Sequence, residues 1–335
     1  ILTSGENITI GLLSAILKNK NINSLPLLGW QVPIITDDIH QKSKILKIDK
    51  KRIFSFLEKY DVIVLAGFQG INLDGNITSL GRGGSDTSAV AIASAVNADR
   101  CDIYTDVEGV YTTDPNIVKN AKKIPKLAYE EMLEMSSTGA KVLHTRSVEL
   151  AMKNNLTLQV LSSMINKEGT FIIDEKKLIE KEIVSGVSYS KNESKISISG
   201  IPDKPGLSAR IFGLLANKNI NVDMIVQNIS QDGITANLTF TVPNNEKTRS
   251  ENILKNNKND INYNSLKTDE KVSKISVIGM GMMSQTGVAQ KMFKTLADNS
   301  INILAISTSE IKISVLIDEK FTNVAVKALH TAYKL

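Results

Sequence analysis

The sequence predicts an α/β first half, a mostly parallel sheet with helices on both faces, followed by two smaller α+β units. Three observations carry this. Short continuous apolar runs alternate with helical patterns as far as about residue 174. The grammar changes from about Lys181. From Ile196 onward one skeleton of strand, glycine, helix and strand occurs twice.

The elements follow in order. "DVIVLAGF" (Asp61–Phe68) is a continuous apolar run ending in glycine, the pattern of a buried parallel strand. "SDTSAVAIASAVNA" reads as a helix with Ser85 or Asp86 at its N-cap and small residues along its body. "RCDIYTDVEGVYTTDP" carries a second buried strand that ends at Thr105–Asp106. "YEEMLEMSSTGAKVLHTRSVELAMKNN" gives two helical segments broken near Thr138–Gly139, and "LTLQVLSS" is a further strand.

In the second half, "ISISGIPDKPGLSARIFGLLANKNINVDMIVQNIS" aligns with "ISVIGMGMMSQTGVAQKMFKTLADNSINILAISTS". The offset is 79 residues at the strands (Ile196 to Ile275) and 81 at the helices (Gly206 to Gly287). "GITANLTFTVP" and "EIKISVLID" close the two copies with another strand. A long period with only two copies predicts paired βαββ modules rather than a solenoid. The boundaries expected are 1–174 for the first domain and 181–245 for the first repeat. An asparagine-rich polar linker follows at 246–271, where "SENILKN" forms a short helix, and the second repeat spans 272–335.

Bulk properties exclude several classes. At 335 residues there is room for two or three domains. The net charge of +5 comes from lysines scattered among asparagines, with only 5% aromatic residues, so no nucleic-acid footprint is expected. The lone Cys101 excludes an internal disulfide framework, and His40, His144 and His330 are too dispersed for a metal site. No apolar run approaches the ~18 residues of a membrane span and no secretory signal opens the chain, so a cytoplasmic location is expected. The opening "ILTSGENITIGLL" has no Met and starts as if at the end of a strand, as a fragment would.

The chemistry concentrates in "SLGRGGSDTSA". Gly81, Gly83 and Gly84 permit backbone angles closed to other residues, and the following helix presents its N-terminus to whatever the loop holds. Arg82 adds a fork suited to carboxylate or phosphate. The stretch is either an anion cradle or a glycine turn capped by Asp86. It has neither the Gly-Lys-Ser/Thr end of a P-loop nor the spacing of the dinucleotide fingerprint. Thr105 and Asp106 stand at the C-terminal end of a strand, the usual ligand edge, where Tyr111 could line a purine pocket or plug a polar connection. Lys141 is a phosphate contact or a solvated helix lysine. Glu6, after Ser4–Gly5, caps a helix or binds an ammonium group.

Taken together, "TSGE", "AGFQG", "TSLGRGGSDTSAVAIA", "YTDVEGVYTTDP", "EMSSTGAKVLHTRS" and "STSEIKISVLI" resemble the aspartate kinases, in that family's order and over nearly the whole chain. The resemblance implies an amino-acid kinase fold followed by two ferredoxin-like ACT domains that bind amino-acid effectors. It implies phosphorylation of the aspartate side-chain carboxylate by ATP with Mg²⁺, by in-line attack. Arg82 and Asp86 would be catalytic, and Ser4, Glu6 and Arg82 would bind substrate, Glu6 at the ammonium and Arg82 at the carboxylate. Thr105, Asp106, Tyr111, Asn116 and Lys141 would hold the nucleotide.

Lysine, threonine or both would act through the repeats, at Asp203, Gly206, Ser208, Asp223, Gln227 and Asn228 in the first. In the second the matching positions are Thr286, Gly287 and Val288, with Asn302, Ile303 and Ser309 along the strand. The resemblance further implies a homodimer or higher oligomer through the ACT domains, and a strand at Lys181–Tyr189 that completes the second unit's sheet.

Three departures from the family pattern stand out. The Lys-x-Gly-Gly motif is absent, so the chain as it stands is expected to be inactive or impaired. Asn116 replaces an arginine, and Thr145 a proline. The alternatives are another amino-acid kinase of this fold, such as a glutamate kinase, and a non-catalytic amino-acid sensor.

Overall fold

The computed structural model describes residues 1–138, 142–178, 182–230 and 233–335. The chain divides into two compact units. One holds Ile1–Val110, Lys123–Ser137 and residues 142–178; the other holds Tyr111–Lys122, Thr138 and the described residues from 182 onward.

The first unit begins with α1 (Ser4–Asn19), β1 (Ser24–Leu27), β2 (Ile34–Thr36), β3 (Ile45–Ile48), α2 (Lys50–Leu57) and β4 (Val62–Leu65). It continues with β5 (Gln69–Ile71), β6 (Ile77–Ser79), α3 (Gly84–Ala95) and β7 (Cys101–Thr105). It closes with β8 (Lys126–Ala128), α4 (Tyr129–Ser137), α5 (Thr145–Lys153), β9 (Leu158–Ser162) and β10 (Thr170–Ile173). Parallel pairing holds where helices intervene: β1 with β4, β7 with β9, and β8 with β10. β2 and β5, with α2 between them, are parallel as well, whereas the pairs joined with no helix between them, β2–β3, β5–β6 and β9–β10, are antiparallel. The strands therefore form a two-stranded and two four-stranded sheets rather than one parallel sheet. Their apolar runs are interior: Leu127, Leu158, Val160 and Ile172 are fully buried, and Leu27, Val32 and Ile53 pack with Ile63, Leu65 and Ile92.

The second unit contains β11 (Gly186–Pro202), α6 (Leu207–Ala216), β12 (Asp223–Ile229), β13 (Thr235–Val242), α7 (Lys247–Asn256) and α8 (Lys258–Ile261). Then come β14 (Ser265–Ile278), α9 (Val288–Asp298), β15 (Ala305–Thr308), β16 (Lys312–Asp318) and α10 (Thr322–Tyr333). They form one six-stranded sheet in the order β12-β13-β11-β14-β16-β15. Both repeats use the same device at the helix start: Gly206 and Gly287 sit at φ +88° as the N-caps of α6 and α9.

β11 and β14 are long strands shared by both repeats. Gly186–Ser190 pairs with Lys274–Ile278, beside β16, while Lys195–Ser199 pairs with Ser265–Asp269, beside β13. The strand expected within Lys181–Tyr189 thus completes the second repeat's sheet, from Gly186, and runs on without a break into the first repeat. The polar linker at 246–271 is a correction. Lys247–Asn256 and Lys258–Ile261 are helical, and Leu254, Ile261 and Tyr263 are buried in the first repeat's core with Ile211, Leu215 and Phe240. A few apolar side chains among many asparagines suffice to fix them there.

The excursion Tyr111–Lys122 joins the second unit by chemistry visible in its contacts. Val118 is buried in the core with Ile275, Val277 and Leu329. The Tyr189 hydroxyl donates to Asp114 at 2.9 Å, and Thr112 Oγ1 meets buried His330 Nε2 at 2.9 Å.

Candidate functional site

The glycine loop is built by close main-chain packing. Gly81 (φ +81°) and Gly83 (φ +66°) lie in the left-handed region, and Gly83 is the N-cap of α3. Neither Ser85 nor Asp86 is the cap, as the sequence suggested; Asp86 stands in the first helical turn. The reason is that the left-handed glycine turns the chain before either side chain can. A Cβ at Gly81 would fall 2.0 Å from the Gln41 carbonyl oxygen, and one at Gly83 would fall 2.3 Å from His144 Cβ and Cγ. A Cβ at Gly84 would fall 2.8 Å from Phe68 Cδ2, and the Phe68 carbonyl accepts from Leu80 N–H at 3.0 Å. The loop is therefore held from three sides, and the first-turn amides of α3 open onto it.

Electrostatics agree with an anion-handling corner. Arg82 is exposed beside the helix start. Burial pushes the Asp86 carboxyl above its ordinary range, only partly offset by the His144 main-chain N–H that donates to it and by the His144 charge. A cradle that any Cβ would fill, helix amides and a guanidinium suit a phosphoryl or carboxylate group.

Glu6 lies within the first turn of α1 rather than before it, and Ser4 opens that helix, its hydroxyl donating to Ile1 O at 2.7 Å. Asn7, next to Glu6, accepts from Gln69 Nε2 at 2.9 Å. Gln69 adjoins Phe68, so α1 starts two contacts away from the glycine loop. Thr105 and Asp106 stand at the end of β7, hydrogen-bonded to each other at 3.0 Å. Thr105 O accepts from Ser163 N at 2.8 Å, next to a highly exposed Met164. Tyr111 and Asn116 fall in the second unit, in the segment anchored by Val118 and Asp114. Lys141 lies outside the described residues.

In the second unit, Ser208 donates to Gln227 at 2.9 Å, so the start of α6 and strand β12 meet. Asp203 N–H bonds Ile234 O at 2.9 Å, and Asn228 lies opposite Asn237 in the β12–β13 ladder. Asp223 is already engaged: Lys274 Nζ lies 2.7 Å from its carboxylate and 3.0 Å from Glu193. In the second repeat Gly287 caps α9, Thr286 is exposed before it and Val288 is its first, buried residue. Asn302 and Ile303 precede β15 and Ser309 follows it, rather than lying along the strand; Ser309 N–H bonds Lys312 O at 2.8 Å, closing the turn.

Sequence reasoning missed Gln41, Phe68, His144 and Arg146 around the loop. Only the unusual glycine density hinted that something must pack against it.

Comparison with known proteins follows the same division. The amino acid kinase family profile matches residues 1–162, and ACT domain profiles match 196–256 and 275–333. The chain is 49% identical over 336 residues to an aspartate kinase of Pseudomonas fluorescens, covering all of this chain and 81% of that protein. It is 47% identical over 339 residues to an aspartokinase of Helicobacter pylori, covering all of this chain and 83% of that protein. Among solved structures, E. coli aspartokinase III in complex with aspartate and ADP (R-state) is similar at 26% identity and TM-score 0.82, over 98% of this chain and 74% of that one. The same enzyme in complex with lysine and aspartate (T-state) gives 27% identity and TM-score 0.76, over 98% and 73%.

Proposed function

We propose, for a chain that belongs to the aspartate kinase family, that the glycine corner transfers the γ-phosphoryl group of ATP to the side-chain carboxylate of L-aspartate. The observation that carries this is the loop Gly81–Gly84: left-handed at two glycines, closed to any Cβ, and presenting Arg82 and Asp86 at the start of α3. Arg82 takes the substrate's α-carboxylate, and Glu6 its ammonium group. The α3 amides stabilise charge on the transferred phosphoryl, and Asp86 orders the corner. Thr105 and Asp106 hold the nucleotide at the sheet edge. Mg²⁺ supplied with the ATP would neutralise charge on its phosphates. Attack by the β-carboxylate oxygen forms a bond to the γ-phosphorus as the bond to ADP breaks, giving an acyl phosphate.

The repeats serve as the regulatory half. A relative bound to lysine in a T-state and the Ser208–Gln227 contact support lysine as an effector at the α6 start, alone or with threonine. Strand β12 is a sheet edge with exposed Ile225 and Ile229, which supports pairing of two copies there. ATP and free aspartate are cytoplasmic solutes, so the enzyme works in that compartment. No helix among the described residues is long and apolar enough to cross a membrane.

A hydroxamate assay on the protein carrying the family's Lys-x-Gly-Gly segment tests the reaction. The expected product is aspartyl hydroxamate, dependent on ATP and aspartate. Equal turnover of glutamate would point to another amino-acid kinase. No turnover with any amino acid, alongside tight lysine binding, would favour a sensor.

A further inference from the structure

We propose that Arg146 is a positioning residue for aspartate recognition, acting through the glycine loop on Arg82; this rests on the aspartate kinase reading of that loop. Arg146 follows the N-cap His144 by two residues on α5 and carries a half-buried guanidinium. Its two hydrogen bonds go to main-chain carbonyls of two different segments: Nη1 to Leu80 O at 3.2 Å and Nη2 to Ser43 O at 2.7 Å.

Those segments already lie backbone to backbone. Ser43 N–H donates to Ser79 O at 3.2 Å, Gln41 N–H donates to Ser79 Oγ at 3.1 Å, and Gly81 leaves no room for a Cβ against Gln41 O. Arg146 is the strap across this contact. Its grip on Leu80 O fixes the plane of the peptide joining Leu80 to Gly81, so the left-handed turn at Gly81 starts from a set direction. Arg82 is the next residue. A tilt of that peptide swings the Arg82 Cα and re-aims its guanidinium, while the nucleotide edge at Thr105–Asp106 lies on a different strand and is untouched.

The guanidinium suits this task. It is a planar fork with fixed donor directions, so it can address two carbonyls at once; a lysine ammonium cannot hold both with the same geometry. Burial lowers its proton affinity, countered by the charges of Asp37 and Glu149, the acidic groups that face it.

The test is steady-state kinetics on the full-length protein with Arg146→Met, Arg146→Gln and Arg146→Lys, with the melting temperature of each. Loss of the strap predicts that KM for aspartate rises between about tenfold and a hundredfold in Arg146→Met. KM for ATP should stay within about twofold, and Arg146→Lys should fall between Arg146→Met and wild type. Should Arg146→Met fail to fold, Arg146→Lys and Arg146→Gln carry the same comparison. An unchanged aspartate KM in a folded variant, or parallel rises in both KM values, overturns the inference: Arg146 is then structural only. A wild-type protein that neither phosphorylates nor binds aspartate removes the underlying function, and the inference with it.

Discussion

Replacing Lys274 by methionine should loosen the sheet shared by the two repeats. Lys274 is a β14 residue whose side chain is 5% exposed, and it bridges Glu193 on β11 (10%) and Asp223 on β12 (51%). Glu193 arrives there because β11 is irregular on both sides of it, between Ser190 and Lys195, which turns the carboxylate inward. Methionine fills similar volume but leaves Glu193 buried with no cation, a loss of about 3–5 kcal/mol. The Asp223 half is half exposed, so water replaces most of its partner and it adds at most about 1 kcal/mol. At 1.4 kcal/mol per tenfold, hydrogen exchange in 186–202 and 265–278 should accelerate by roughly 10² to 10⁴ if these amides open together.

Pairing Lys274→Met with Glu193→Leu should restore most of the protection. The sign of the pH dependence follows from both partners. Burial raises the Asp223 carboxyl, but the Lys274 ammonium outweighs it and the net shift is downward. Burial lowers Lys274, but Glu193 and Asp223 outweigh it and the net shift is upward. Asp223 therefore contributes above the ordinary carboxylate value of about 4, lost as pH falls through its depressed value. Lys274 contributes below about 10.4, lost as pH rises through its raised one. From these two groups alone, exchange corrected for intrinsic rates should be flat between these limits; buried His330, held below its ordinary value by burial and by the Lys122 charge, adds a loss of protection as pH falls below about 6.5. Acceleration below about threefold in Lys274→Met, or a double variant worse than the single one, would refute the buried-triad reasoning.

Other consequences are equally concrete. Gly83→Ala places a Cβ against His144 and a non-glycine residue in the left-handed region; it should cost at least about 1–2 kcal/mol and sharply reduce kcat. Gly213→Ala, on α6 with open space around it, should instead stabilise by about 0.5–1 kcal/mol in a urea melt. Burial, with the charges of Asp102 and Asp86, pushes the Cys101 thiol up to about 11, so iodoacetamide at pH 8 should leave it unmodified in the native protein and label it in urea. Tyr189→Phe removes the bond to Asp114, about 1.5–3 kcal/mol for a hydrogen bond to a charged group; exchange in 111–122 should rise while α5 is unaffected.

What the sequence showed, and what it hid, divide along physical lines. That a helix follows the glycines at Gly81–Gly84, Gly206 and Gly287 was legible because glycine before a small or apolar helical run has a local cause; that Gly83, rather than Ser85 or Asp86, caps the first of them was not. The second repeat was legible because its strands and helix recur in the same order as in the first, with only two extra residues between the first strand and the helix. The shared strands β11 and β14 were not, since whether a strand continues past a bulge at Glu193 depends on partners such as Val272, 79 residues further on. Residues 246–271 looked like a linker because Leu254, Ile261 and Tyr263 are sparse among lysines and asparagines, and core membership needs few side chains. The segment Tyr111–Lys122 gave no hint that its apolar pair, Ile117 and Val118, belongs to the second unit's core. Arg146 was invisible for a related reason: its partners are main-chain carbonyls, which no side-chain pattern reports.

The central claim is that the corner around Gly81–Gly84 makes an acyl phosphate on aspartate. Phosphorus NMR of the full-length protein with ATP, Mg²⁺ and aspartate tests it most directly. The account predicts an acyl-phosphate resonance growing in step with ADP, strongly diminished in Arg82→Ala and in Asp86→Asn. ADP formation with only inorganic phosphate from the first spectrum, or an undiminished acyl-phosphate signal in both variants, would contradict it.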